Sequence, residues 1–86
     1  MELVVMGANN CKPCEKLVNF LDSEEVEYKY IDALSSRGFR LKHKIRSTPT
    51  ALLFDNDYTD DYASIVINGF NEENKDQFYE ILDLVD

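Results

Sequence analysis

Apolar and polar positions divide this chain into seven segments with distinct periods. Leu3 to Met6 is an unbroken apolar run, so Glu2 to Met6 reads as a buried strand, and Gly7-Ala8-Asn9-Asn10 after it is a loop of small and polar residues. Cys14, Leu17, Val18 and Leu21 then recur at i, i+3, i+4 and i+7, the stripe of a helix with one apolar face. Asn10 is a suitable N-cap, which makes Cys11 the first helical residue and places Pro13 in the first turn, where a missing N–H breaks no helical bond. Val26 to Ile31 alternates through Val26, Tyr28 and Tyr30 and ends at Asp32, predicting a second strand and completing a βαβ unit.

The later segments follow the same logic. Residues 35 to 45 carry Phe39, Leu41 and Ile45 at irregular helical spacing around Gly38 and predict a second helix. Thr50 to Phe54 and Tyr62 to Ile67 are compact apolar runs on either side of the acidic turn Asp55 to Asp61, the pattern of a hairpin. After Asn68-Gly69, Asn71 with Glu72 and Glu73 forms a capped, acidic first turn, and Phe78, Ile81, Leu82 and Val85 repeat at helical spacing. No repeat, low-complexity tract or linker interrupts the pattern, so residues 1–86 are expected to form one α/β domain of order βαβαββα.

Composition narrows the partners. A chain of 86 residues with 44% hydrophobic content supports one modest core. Its net charge of -8 disfavours nucleic acid phosphates and anionic membranes as partners of the surface as a whole. No stretch approaches the roughly 18 apolar residues of a membrane span, and the start Met1-Glu2 lacks a basic leader region. A cytoplasmic protein is expected. Two cysteines are too few for the disulfide framework of a small secreted domain, whereas cytosolic disulfides are usually transient and catalytic.

Those two cysteines are the candidate chemistry. Cys11-Lys12-Pro13-Cys14 places them two residues apart at the head of a predicted helix that follows a strand, the context of a redox CxxC. Cys14 shares the apolar stripe of the helix and is expected to be shielded, while Cys11 lies at the helix tip, exposed. There, free N–H groups and the positive end of the helix dipole favour the thiolate of Cys11, and Lys12 adds a positive charge nearby. Disulfide exchange needs an accessible thiolate and a second thiol close enough to release the mixed disulfide; Cys11 and Cys14 fit these two roles.

The order of elements, the CxxC at the first helix and Thr48-Pro49 just before the third predicted strand together resemble the thioredoxin and glutaredoxin superfamily. Ile45 to Phe54 looks like the segment in which a cis-proline precedes a buried strand, and Gly69-Phe70 lies where the family has a glycine before its last helix. The resemblance implies a thioredoxin fold: a four-stranded mixed sheet flanked by three helices, with Pro49 beside the thiols. It further implies a monomeric dithiol electron carrier that reduces protein disulfides, as in ribonucleotide reductase, and is recharged by a reductase of the thioredoxin-reductase type. Cys11 and Cys14 would be catalytic, with Lys12, Pro13, Thr48, Pro49, Gly69 and Phe70 binding or supporting the substrate. No cofactor beyond the Cys11–Cys14 disulfide is implied. Proline immediately before the second cysteine resembles thioredoxins, whereas the short N-terminus and the absence of tryptophan resemble glutaredoxins. A glutathione-dependent glutaredoxin is therefore the alternative, with glutathione as the external reductant, although Gly69-Phe70-Asn71-Glu72 matches the glutathione-binding segment only in part.

Other readings of the same residues are weaker. Zinc wants four ligands, and beyond the CxxC only His43 is of a suitable type, so no metal site is expected; an iron–sulfur cluster shared between two chains, or a redox-inactive adaptor, remains as an alternative from another class. His43 lies among Arg37, Arg40, Lys42, Lys44 and Arg46 and reads as a solvated side chain. That basic cluster reads equally as a solvated helix face or as one rim of the site, able to attract an acidic partner or a carboxylate of glutathione. Asp55, Asp57, Asp60 and Asp61 fail as a calcium loop, because Asp60 stands where glycine is required at position six and Val66 where glutamate is required at position twelve.

Overall fold

A computed structural model describes residues 1–85. Its elements run β1 (Glu2–Gly7), α1 (Lys12–Ser23), β2 (Lys29–Asp32), α2 (Arg37–Lys42), β3 (Thr50–Phe54), β4 (Ile65–Asn68) and α3 (Lys75–Val85). The predicted order βαβαββα is the observed one. The sheet order is β2-β1-β3-β4, with β2 parallel to β1 and the β1–β3 and β3–β4 pairs antiparallel. Both central strands are buried on both faces, which is why Leu3 to Met6 and Thr50 to Phe54 are continuous apolar runs rather than alternating ones.

Alternate residues of those strands feed two separate cores. Leu3, Val5, Ala51 and Leu53 point toward α1 and α3, meeting Leu17, Leu21, Phe78 and Ile81. Val4, Met6, Leu52 and Phe54 point the other way, toward Ile45 and Phe39 on the α2 side. The helices thus cover both faces, as the resemblance implied.

Several boundaries differ from those expected. The second strand starts at Lys29, because Val26 closes α1: Glu25 takes a left-handed φ of 58° and the Val26 N–H bonds the Leu21 carbonyl at 3.1 Å. That pattern is a Schellman stop. The same stop trims the second helix to Arg37–Lys42, with Lys44 at φ 55° and the Ile45 N–H on the Arg40 carbonyl at 2.9 Å. β4 begins only at Ile65. The last helix begins at Lys75, after a turn in which the side-chain amides of Asn71 and Asn74 each accept the other's backbone N–H, at 3.0 and 2.9 Å. No helix among the described residues is long and apolar enough to cross a membrane.

Candidate redox site

β1 ends at Gly7, and the next four residues turn the chain into α1. Asn10 does not cap that helix. It adopts a left-handed φ of 56°, a conformation that asparagine tolerates better than most residues, and this leaves Cys11 itself extended at φ -114° and ψ 101° as the N-cap. Helix proper begins one residue later than expected, at Lys12, with Pro13 still in the first turn.

The consequence is chemical. An N-cap side chain accepts a hydrogen bond from an otherwise unpaired N–H of the first turn, and here the Cys14 N–H donates to Cys11 Sγ at 3.3 Å. Sulfur occupies the place usually taken by the oxygen of Ser or Asp. A thiolate accepts such a bond far better than a thiol, so the cap and the helix dipole act in the same direction on Cys11.

The two cysteines are joined as a disulfide with a Cα–Cα distance of 5.2 Å. Their environments differ as the helix stripe predicts in direction: Cys14 is 2% exposed, while Cys11 is only partly covered. A cavity of about 470 Å³ opens against Cys14 and is bordered by Ala8, Glu15, Val18, Tyr28 and Tyr30. Tyr30 also lies across Gly7, the far end of its ring where a Cβ would stand, so a larger residue there would displace that half-exposed side chain. A larger cavity of about 700 Å³ lies at the other end of β1, around Met1, Glu2 and Glu27, remote from the thiols.

Thr48 and Pro49 approach from the opposite side. The Thr48–Pro49 bond is cis. The Thr48 hydroxyl donates toward Cys11 Sγ at 3.7 Å, and the Thr48 carbonyl lies 3.9 Å from the same sulfur, where it can accept from the thiol after reduction. Two further bonds hold this loop: Thr50 Oγ1 donates to the Ser47 carbonyl at 2.8 Å, and the Gly69 N–H donates to the Pro49 carbonyl at 2.7 Å. Gly69, at φ 79°, thereby ties the end of β4 to the proline loop.

No family model matches the chain, and no curated protein has a significant sequence match to it. Solved structures do match. The thioredoxin-like protein BC3987 superposes with a TM-score of 0.64 at 25% identity, covering 88% of this chain and 97% of its own. The oxidised thioredoxin of Plasmodium falciparum gives a TM-score of 0.66 at 21% identity over 99% of this chain and 83% of its own. Thioredoxin 1 of Thermosipho africanus gives 0.62 at 12% identity over 96% and 99%. The chain has the thioredoxin fold.

Within this thioredoxin fold the expected site residues divide into two groups. Cys11, Cys14, Thr48 and Pro49 come together, with Lys12 and Pro13 exposed on the first turn between the thiols. Phe70 does not join them: its ring packs at 5.3 Å on Phe20 and 5.2 Å on Phe78, inside the core under α1 and α3. His43 is not the solvated side chain expected from its basic neighbours. It packs on Phe39 and Phe54, and burial, followed by the nearby Lys42 charge, holds its imidazole below the usual range. Asp55, Asn56, Asp57 and Asp60 are engaged in an acidic turn, bonding Ser64, Asn56, Thr59 and each other's segment rather than converging on a cation. Asn74, overlooked in the sequence, is buried and donates to the carbonyls of Asn68 and Gly69 at 3.1 and 3.0 Å, fixing α3 to the end of β4. Its signal was the spacing Asn71-x-x-Asn74, a reciprocal cap written with two asparagines.

Proposed function

We propose that this thiol–disulfide oxidoreductase works as a dithiol electron carrier that reduces disulfides in proteins. The observation that carries the reading is the asymmetry of the pair: Cys11 Sγ caps a helix and faces the Thr48 loop, while Cys14 is buried behind it. In the reduced protein the Cys11 thiolate attacks one sulfur of the substrate disulfide, forming a mixed disulfide and expelling the other sulfur as a thiolate. Cys14, losing its proton, then attacks Cys11 Sγ, and the second substrate sulfur leaves. Two electrons pass to the substrate, the two thiol protons end on its sulfurs, and the protein holds the Cys11–Cys14 disulfide. An external dithiol reductase of the thioredoxin-reductase type restores the thiols, and glutathione is the alternative reductant.

The Thr48 backbone, beside Cys11 and before a buried strand, is the edge against which an extended substrate segment pairs in the manner of an added strand. Pro49 and Gly69 support that edge through their mutual bond. Lys12 and Pro13 shape the first turn between the thiols. Disulfide proteins of the ribonucleotide reductase kind are candidate substrates on the family resemblance alone.

Two variants test the order of attack. Cys11→Ser abolishes turnover with a protein disulfide and forms no adduct, whereas Cys14→Ser reacts once and accumulates a mixed disulfide visible by intact mass. Wild-type turnover is followed as NADPH loss with either thioredoxin reductase or the glutathione system. Multiple turnover by Cys14→Ser with a protein disulfide would sink the assignment, and turnover of the wild type only with glutathione would favour the glutaredoxin alternative.

A further inference from the structure

Positive charge in this chain is concentrated in one segment, Arg37 to Arg46, whose flanks reach the redox pair. No Asp or Glu occurs between Asp32 and Asp55, and that interval holds Arg37, Arg40, Lys42, Lys44 and Arg46, leaving four cations against seventeen acids elsewhere. Both flanks of the cationic segment are pinned at the site. The Ala33 N–H bonds the carbonyl of Gly7, the residue that leads into the CxxC loop, at 2.9 Å, and Thr48 lies against Cys11 Sγ at 3.7 Å. Arg37 is four residues from the first anchor and Arg46 two from the second.

Local structure accounts for some of these charges. Arg40 and Lys42 sit in the last turn of α2, where cations complement the helix carbonyls, and Lys42 pairs with Asp61 at 3.7 Å. Arg37 and Arg46 have no such role. Arg37 begins α2, the end where a cation is disfavoured, in a first turn that holds no acid. Arg46 is exposed although Ile45 beside it is buried. Neither has an ion-pair partner among the described residues.

We propose that Arg37 and Arg46 form an electrostatic docking rim that selects protein disulfides flanked by acidic residues. The proposal rests on the dithiol-reductase reading and names its substrate class. A segment laid along Thr48 toward Cys11 passes Arg46, so carboxylates next to its cystine meet positive charge at the rim while the acidic remainder of the surface repels other approaches. Such complementarity acts mainly on the association rate and fades with salt.

The test uses the reduced full chain in single turnover with three peptides that differ only in residues flanking a cysteine capped with 4-thiopyridine: glutamates, glutamines or lysines. At low salt the acidic peptide is expected to react roughly tenfold faster than the basic one. The ratio approaches one at about 1 M salt, where the Debye length is about 3 Å. The double variant Arg37→Gln/Arg46→Gln lowers the low-salt ratio toward one, while Lys75→Gln, which removes the same unit charge from α3 on the opposite face, leaves it unchanged. Equal rates for all three peptides, a ratio insensitive to salt, or an equal effect of Lys75→Gln would overturn the docking rim while leaving the reductase reading intact. Failure to reduce even the glutamine peptide would instead overturn the reductase reading. A glutathione mixed disulfide that outcompetes the acidic peptide would replace the rim with a small-molecule site.

Discussion

The imidazole of His43 lies against the rings of Phe39 and Phe54, with centroids 4.5 and 5.2 Å away, and its Nε2 is buried without a hydrogen-bond partner among the described residues. Burial and then Lys42 disfavour the charged ring, and Asp61 opposes them more weakly. A folded-state pKa below the unfolded value means that the unfolded chain binds the proton more readily. The contribution of His43 to stability is therefore fully present above the ordinary imidazole pKa of about 6.5 and is lost as pH falls through and below it. Denaturant unfolding at pH 7.5 and 5.5 should show a drop for the wild type that is smaller in His43→Leu; an identical drop in both would assign the effect to carboxylates instead. The burial of this residue was hidden because a histidine between two lysines carries the local pattern of a solvated face, and its packing depends on Phe54, eleven positions away and on a different element. Cys11 was legible for the opposite reason, since its chemistry follows from spacing and a helix start. Its exact cap position was not, because Asn10 fits both an N-cap and a left-handed turn.

At the scale of elements, existence and order were readable from periodicity, while helix ends were not. α1 and α2 both close with a Schellman stop, in which Glu25 and Lys44 stand in the left-handed position usually given to glycine. Without that glycine the sequence carries no stop signal, and Val26 and Ile45, which complete the motifs, look like members of the next strand or the same helix. The expected strand from Val26 and the expected helix to residue 45 were both misplaced by this one device. A direct expectation follows: a non-glycine residue in the left-handed region costs roughly 1–2 kcal/mol, partly offset by the greater flexibility of unfolded glycine. Glu25→Gly and Lys44→Gly should each stabilise the protein by about 0.5–1 kcal/mol, measured by urea unfolding, whereas Gly at an exposed mid-helix site such as Lys16 should destabilise it by a similar amount. Loss of stability in both C-terminal variants would mean that the side chains of Glu25 and Lys44 matter more than their backbone.

Across the whole molecule the two faces of the sheet are unequally supported. The face under α1 and α3 is closed by helix residues that are themselves buried, including Leu17, Leu21, Phe78 and Ile81. The other face is closed by α2, which has no fully buried residue and is held through half-buried Phe39 and the following Ile45. α2 brings few buried side chains of its own, so its opening should cost less than global unfolding even though it uncovers part of the Val4, Met6, Leu52 and Phe54 face. The loop beyond it is held separately, by Thr50 on the Ser47 carbonyl and Gly69 on the Pro49 carbonyl. α2 should therefore open without releasing Thr48 from Cys11. Native-state hydrogen exchange separates these units. The amides of Arg40 and His43, bonded to Ser36 and Phe39, should exchange at least roughly tenfold faster than those of Val5, Leu53 and Gly69, a difference of about 1.4 kcal/mol or more in opening free energy. If Gly69 exchanges with Arg40 and His43, the proline loop opens together with α2, and the reaction edge is no longer independent of the helix that precedes it.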